Sequence, residues 1–280
     1  MAERIQKILA AAGHGSRRQA ERWIDEGRVT LNGKRAKLGQ SATHTDSIRL
    51  DGKPVVIAQA SQYGARVLVY HKPEGEICTR AENEKRPTVF DNLPGLPSGR
   101  WISVGRLDLN TSGLLLFTDD GNLANRLMHP SSEIEREYAA RVLGPVKRGA
   151  IEALVKGVKI DGKPAAFERV EKIQSSEGRN QWFRVVIKEG RYREVRKLWE
   201  AVGYTVNRLK RVRYGAIKLP RDLRAGKYTT MPPRQRDKVI IMAGMPVQVR
   251  GAARTKTKSS AVTRTTARRK KGNRMPGHRS

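Results

Sequence analysis

The stretch GRLDLNTSGLLLFTDDG, residues 105–121, decides how this chain is read. It sets a cation and an acid, Arg106 and Asp108, one residue apart, and follows them with an unbroken apolar run, Leu114 to Phe117. A polar, glycine-closed segment ahead of such a run reads as a loop feeding a buried strand. WISV (101–104) supplies a strand pattern on the other side. Asp108 is therefore a loop residue held between two strands, where reactive side chains are commonly placed. On an extended backbone Arg106 and Asp108 share a side, and the cation would keep the carboxyl ionised. An ionised carboxylate is a nucleophile or a base. It is equally a loop aspartate with an arginine partner, and the local residues leave both readings open. Asp119-Asp120-Gly121 reads as turn chemistry leading into a helix, LANRLM, with Asn122 as its cap.

Strand patterns dominate on both sides of this stretch: RVLVYHK (66–72), EIEREYAARVLG (133–144) and QWFRVVIKEG (181–190). IEALVKGV (151–158) reads as a helix. In REVRKLWEAVG (193–203), Val195, Leu198, Trp199 and Val202 fall on one helical face. An Asp161-Gly162 turn and alternating charge in the later strands favour antiparallel pairing. The expectation is an α+β domain over 66–245 with a mixed, mainly antiparallel sheet and no internal repeat.

The first 58 residues form a separate unit. Ile5, Ile8, Leu9 and Ala12 line one helical face, and SRRQ (16–19) fits a capping box for a second helix carrying Ala20, Trp23 and Ile24. Asn32-Gly33 and Asp51-Gly52 are hairpin turns. A polar linker containing QASQYG occupies 59–65. Residues 246–280 hold eleven Lys and Arg and no acid, with almost no large apolar residues, so they read as a disordered basic tail.

The chain has 57 Lys+Arg against 27 Asp+Glu, a formal charge of +30, of which +19 remains without the tail. That imbalance points to a polyanion, with nucleic acid ahead of a membrane surface. No run approaches the ~18 apolar residues of a membrane span. The N-terminus has no apolar core of a signal, so it is expected to be mature structure. One cysteine, Cys78, excludes an internal disulfide and a cysteine zinc site, and fits a reducing cytoplasm. His14, His44, His71, His129 and His278 are scattered, so no metal is expected. Phosphate-loop, dinucleotide, zinc-protease and serine-hydrolase motifs are absent.

Residues 3 to about 55, RIQKILAAAGHGSRRQAERWIDEGRVTLNGKRA and onward, resemble the S4 RNA-binding module. That resemblance implies that Arg17, Arg18, Arg28 and Lys34 face structured RNA. GRLDLNTSGLLLFTDDG resembles the signature of the pseudouridine synthases, in their RsuA-type ribosomal-RNA branch. YHKPEGEICT (70–79), EREYAARV (135–142), EGRYREVRKLWEAVG (189–203) and VNRLKRVRYGAIKL (206–219) resemble the partner motifs in order. GHGSRR, EGEICTR, RPTVFDNLP, NQWFRV and KLWEAVG are nearest to the large-subunit members, which implies a uridine of 23S rRNA as target. The resemblance implies isomerisation to pseudouridine without cofactor or metal. Asp108 would be the catalytic carboxylate, with Arg106 beside it and Arg196 pairing with it to keep it ionised. Tyr138 would pack on the target base, and Leu209 would line the uracil pocket. The alternative is an inert S4-type RNA-binding or ribosome-assembly protein. A monomer is expected, since no apolar surface stripe demands burial.

Overall fold

The structure, a computed structural model, describes residues 2–56, 64–80, 85–173 and 180–247. Most of the expected linker and all but the first two residues of the basic tail lie outside them.

The N-terminal part runs β1 (Glu3–Arg4), α1 (Ile5–Ala11), α2 (Arg17–Asp25), β2 (Val29–Leu31), β3 (Lys34–Arg35), β4 (Ser41–Ala42), β5 (Ile48–Leu50) and β6 (Lys53–Pro54). Ile5, Ile8 and Leu9 close with Ala20 and Ile24 over Val29 and Ile48 in one small core. The capping box forms: Ser16 Oγ accepts from Gln19 N at 3.1 Å, and Gln19 Oε1 from Ser16 N at 3.4 Å. Asn32 and Gly33, at φ 51° and 81°, make the turn between β2 and β3. Asp46 and Ser47 hold the Asn32 amide.

The remainder runs β7 (Val67–Lys72), β8 (Ile102–Val104), β9 (Ser112–Thr118), α3 (Gly121–Met128), β10 (Arg136–Val142), α4 (Arg148–Lys156), β11 (Val158–Ile160), β12 (Lys163–Ala165), β13 (Arg169–Ile173), β14 (Gln181–Ile187), α5 (Glu194–Ala201), β15 (Val206–Tyr214), β16 (Ile217–Lys218), β17 (Tyr228–Thr230) and α6 (Pro233–Met242). Its nine-stranded sheet has the order β13-β14-β10-β15-β9-β7-β17, with β8 beside β9 and β16 beside β15. Every pairing in it is antiparallel except β15 with β9. The expected mixed, mainly antiparallel sheet is what forms.

The apolar run after Asp108 is unbroken because β9 is covered on both faces. Leu115 and Phe117 enter one core, and Leu114 and Leu116 enter the other. One edge of β9 pairs with β7. The other is shared: β15 takes Ser112 and Gly113, and β8 takes Leu116 to Thr118. The 105–111 loop emerges where β8 and β15 part. Gly113 marks the crossing, since its φ of 112° and the Arg211 backbone lying against it leave no room for a Cβ.

Three expectations are corrected. Asp120, not Asn122, caps α3, accepting from Asn122 N at 2.7 Å and Leu123 N at 3.2 Å; Asn122 already lies inside the helix. The 133–144 strand shortens to β10 because Pro130–Ser132 form a 3-10 turn and Glu133 sits at φ 43°. IEALVKGV divides at Gly157, φ 111°, into the end of α4 and the start of β11.

Candidate active site

The backbone around Asp108 is pinned at every carbonyl. Leu107 O accepts from Cys78 Sγ at 3.4 Å, and Asp108 O from Lys72 Nζ at 3.0 Å and Thr111 N at 3.1 Å. Leu109 O accepts from Gly75 N at 2.9 Å, Asn110 O from Arg196 Nη2 at 2.8 Å, and Thr111 O from Lys72 Nζ at 2.9 Å. Five consecutive acceptors are satisfied from residues 72–78, from Arg196 and from Thr111 within the loop itself. Lys72 is central to this: fully buried, it places its third bond on Pro73 O at 2.9 Å. An ammonium has three donors, and all three are used on main-chain carbonyls. Burial pushes the Lys72 pKa down, opposed by Cys78, Glu76, Asp108 and Glu74 nearby.

The Asp108 side chain is treated differently. It is half-buried, and among the described residues its carboxylate has no hydrogen bond and no ion pair. The expected pairings are therefore not made directly. Arg196 is buried in the first turn of α5, donating to Val206 O and to Asn110 O, two residues past Asp108. Burial, then Arg193, lowers its pKa, and Asp108, Glu74 and Glu200 oppose the shift. It thus acts on the carboxylate through space while its donors hold the loop. Arg106 is exposed, with no ion pair to Asp108 among the described residues. Gly105, at φ 78°, turns the chain just before it.

Tyr138 and Leu209 share one core cluster with Leu107 and Val195, the neighbours of Asp108 and Arg196. Leu209 lies opposite Ala140 across β10 and β15, and Tyr138 lies opposite Arg211. The four sequence-distant segments of the expected site are thereby brought together. Arg211 is buried and donates Nε to Leu114 O at 2.7 Å, tying β15 to the strand that follows the loop.

Residues 66–201 match the RNA pseudouridylate synthase family model, and residues 3–48 the S4 domain model. The chain is 56% identical over 233 residues to ribosomal large subunit pseudouridine synthase B of Yersinia pestis, covering 82% of this chain and 73% of that one. It is 49% identical over 267 residues to the protein of the same name from Pseudomonas aeruginosa, covering 92% and 69%. A crystal structure of a pseudouridylate synthase superposes with a TM-score of 0.59 at 26% identity, over 84% of this chain and 99% of that one. The chain belongs to the RNA pseudouridylate synthase family.

Within this synthase, sequence reasoning missed the parts that hold the loop. YHKPEGEICT was noted as a motif, but nothing in it told a buried loop anchor from an ordinary strand lysine. The signal available was a lysine in a strand otherwise apolar on both faces. Tyr70 and Glu76 were missed too: the Tyr70 hydroxyl donates into the Glu76 carboxyl, with 2.9 and 2.7 Å to its two oxygens, and burial pushes the Glu76 pKa up.

The S4 module of the synthase presents Arg17, Arg18 and Lys34 on its exposed surface. Arg28 is engaged differently, in a two-point pair with Asp51 at 2.8 and 2.7 Å that ties the end of α2 to the β5–β6 turn. Among the described residues no group of acids, histidines and cysteines could hold a metal ion, and no helix is long and apolar enough to cross a membrane.

Proposed function

We propose that the chain isomerises a uridine of large-subunit (23S) ribosomal RNA to pseudouridine, with Asp108 as the catalytic carboxylate. The observation that carries this is a backbone bonded at five successive carbonyls that leaves one carboxylate without a protein partner among the described residues. A structural aspartate would use its oxygens to cap or pair; this one is positioned and left free to react. The names of the relatives support the large-subunit RNA as substrate.

The target uridine leaves its stack to reach the loop. The C1′–N1 bond breaks, the uracil turns, and C5 joins C1′. The proton lost from C5 is balanced by one gained at N1, so no oxidant or cofactor enters. Asp108 acts at C1′, at C6, or on the C2′ proton toward a glycal. Each route needs an ionised carboxylate with free oxygens. Arg196 holds the loop at Asn110 O, Tyr138 offers a face for the base, and Leu209 keeps water from the detached uracil. Arg17, Arg18 and Lys34 would meet the RNA backbone, with Arg28 shaping their surface through Asp51. The protein acts as a monomer in the cytoplasm, where its single thiol stays reduced.

Asp108→Asn is the test. Pseudouridine in transcribed 23S rRNA should fall roughly 10³-fold or more, with RNA affinity kept within a few-fold. Equal product from the variant would end the assignment. An inert RNA-binding protein would give no product even from the unaltered chain.

A further inference from the structure

Four arginines lead from the S4 module to the Asp108 loop. The α1–α2 turn packs on the loop before β8 through two glycines at positive φ, Gly13 (91°) and Gly99 (76°). A Cβ on Gly13 would lie 2.9 Å from the Gly99 carbonyl oxygen, and one on Gly99 3.0 Å from that of Ala11. This close approach sets Arg17, the first residue of α2, near Arg100, the residue after Gly99. Arg80 comes next: its Nη2 donates to Trp101 O at 2.9 Å, and its guanidinium stacks 3.8 Å from the Phe90 ring centre. Two residues before Arg80, Cys78 is bonded to Leu107, whose neighbours are Arg106 and Asp108.

Among the described residues none of the four has an acidic partner. Arg100 Nε is buried without any partner there. Elsewhere on the chain Arg28, Arg148, Arg184 and Arg213 are each paired with a carboxylate. The unpaired cations also sense one another. Burial first, then Arg17, lowers the Arg100 pKa; burial first, then Arg100, lowers that of Arg80. Such a row is unfavourable in isolation and becomes favourable when a polyanion lies along it.

We propose that Arg17, Arg100, Arg80 and Arg106 form a phosphate track that carries the RNA backbone from the S4 module to Asp108, with the Gly13–Gly99 contact holding its two halves in line. The track deepens the assignment of Asp108 as the reacting group and rests on it for direction. It makes the S4 module a fixed part of one continuous RNA surface.

The test is binding of in-vitro-transcribed 23S rRNA to the full chain carrying Asp108→Asn, measured across a series of KCl concentrations. Arg80→Gln, Arg100→Gln and Arg106→Gln should each weaken binding several-fold and lower the slope of log affinity against log salt by about 0.7–0.9. Arg148→Gln, at a paired and exposed site, should leave the slope unchanged. Arg100→Lys keeps the charge and has to keep the slope, which separates a lost phosphate contact from a folding defect. Unchanged slopes in the three glutamine variants, or a slope lost equally in Arg100→Lys, would overturn the track. Pseudouridine formed by the unaltered chain alongside unchanged slopes would remove the track alone. Slopes lost without any product from the unaltered chain would remove the assignment of Asp108 instead.

Discussion

At the scale of single residues, Lys72 and Asp108 divide the work of the loop. Lys72 closes three main-chain bonds from complete burial. Lys72→Met keeps the bulk and removes the donors, so the Pro73 and Thr111 carbonyls lose their partner and the Asp108 carbonyl loses one of two. Chemical denaturation should show a loss of roughly 3 kcal/mol or more, with product formation falling further than RNA affinity. Glu76 predicts a pH effect. Its folded pKa is raised by burial above the ordinary 4.5, so its contribution to stability is present in acid and is lost as pH rises through the folded value. Glu76→Gln should flatten that part of the melting-temperature profile, upward from the ordinary 4.5. A profile as steep as that of the unaltered chain would refute it. From its local residues Asp108 was legible only as one of two alternatives, because a loop aspartate looks the same in sequence whether or not its oxygens are occupied; only the resemblance of the whole motif set to a family singled it out. The Arg196 contact was less legible: α5 presents Val195, Leu198 and Trp199 inward, but which carbonyl a flanking arginine reaches depends on a loop 86 residues away.

At the scale of elements, β9 shows what periodicity does and does not reveal. A four-residue apolar run announces burial but not that two cores meet across it, since helix and two-faced strand share that signal. The hairpin turns and the capping box were legible because their residues act locally. β17 and α6 were not. The first half of α6, PRQRDK, is charged, and only Val239 and Ile240 are buried, too few to mark a face. Gly113 offers the sharpest test at this scale. Gly113→Ala would force the Arg211 backbone away and strain a residue at φ 112°, so β9 and β15 should separate at the loop. A loss of about 2–4 kcal/mol in thermal or denaturant unfolding is expected. Full stability in that variant would show that the crossing tolerates a side chain.

At the scale of the whole molecule, charge was the most legible property, because it needs no geometry. The +30 of the chain is distributed: +11 in residues 246–280, and +19 on residues 1–245. Deleting 246–280 should weaken binding to all RNAs alike and flatten the salt dependence. A loss of preference for 23S rRNA with an unchanged salt slope would contradict that. Where the cations converge was illegible, since Arg17 nears Arg100 only through the glycine contact between two parts of the chain, and Arg80 reaches Trp101 only across 21 residues of chain.

Cys78 has a practical consequence. It is the chain's sole thiol, it is bonded to both backbone groups of Leu107, and burial pushes its pKa up. A maleimide or a disulfide reagent therefore has one place to react, a half-buried thiol that reacts faster when its bonds to Leu107, beside Asp108, open. The labelling rate becomes a stopwatch for that opening, readable by mass spectrometry on the unaltered chain, and RNA should slow it.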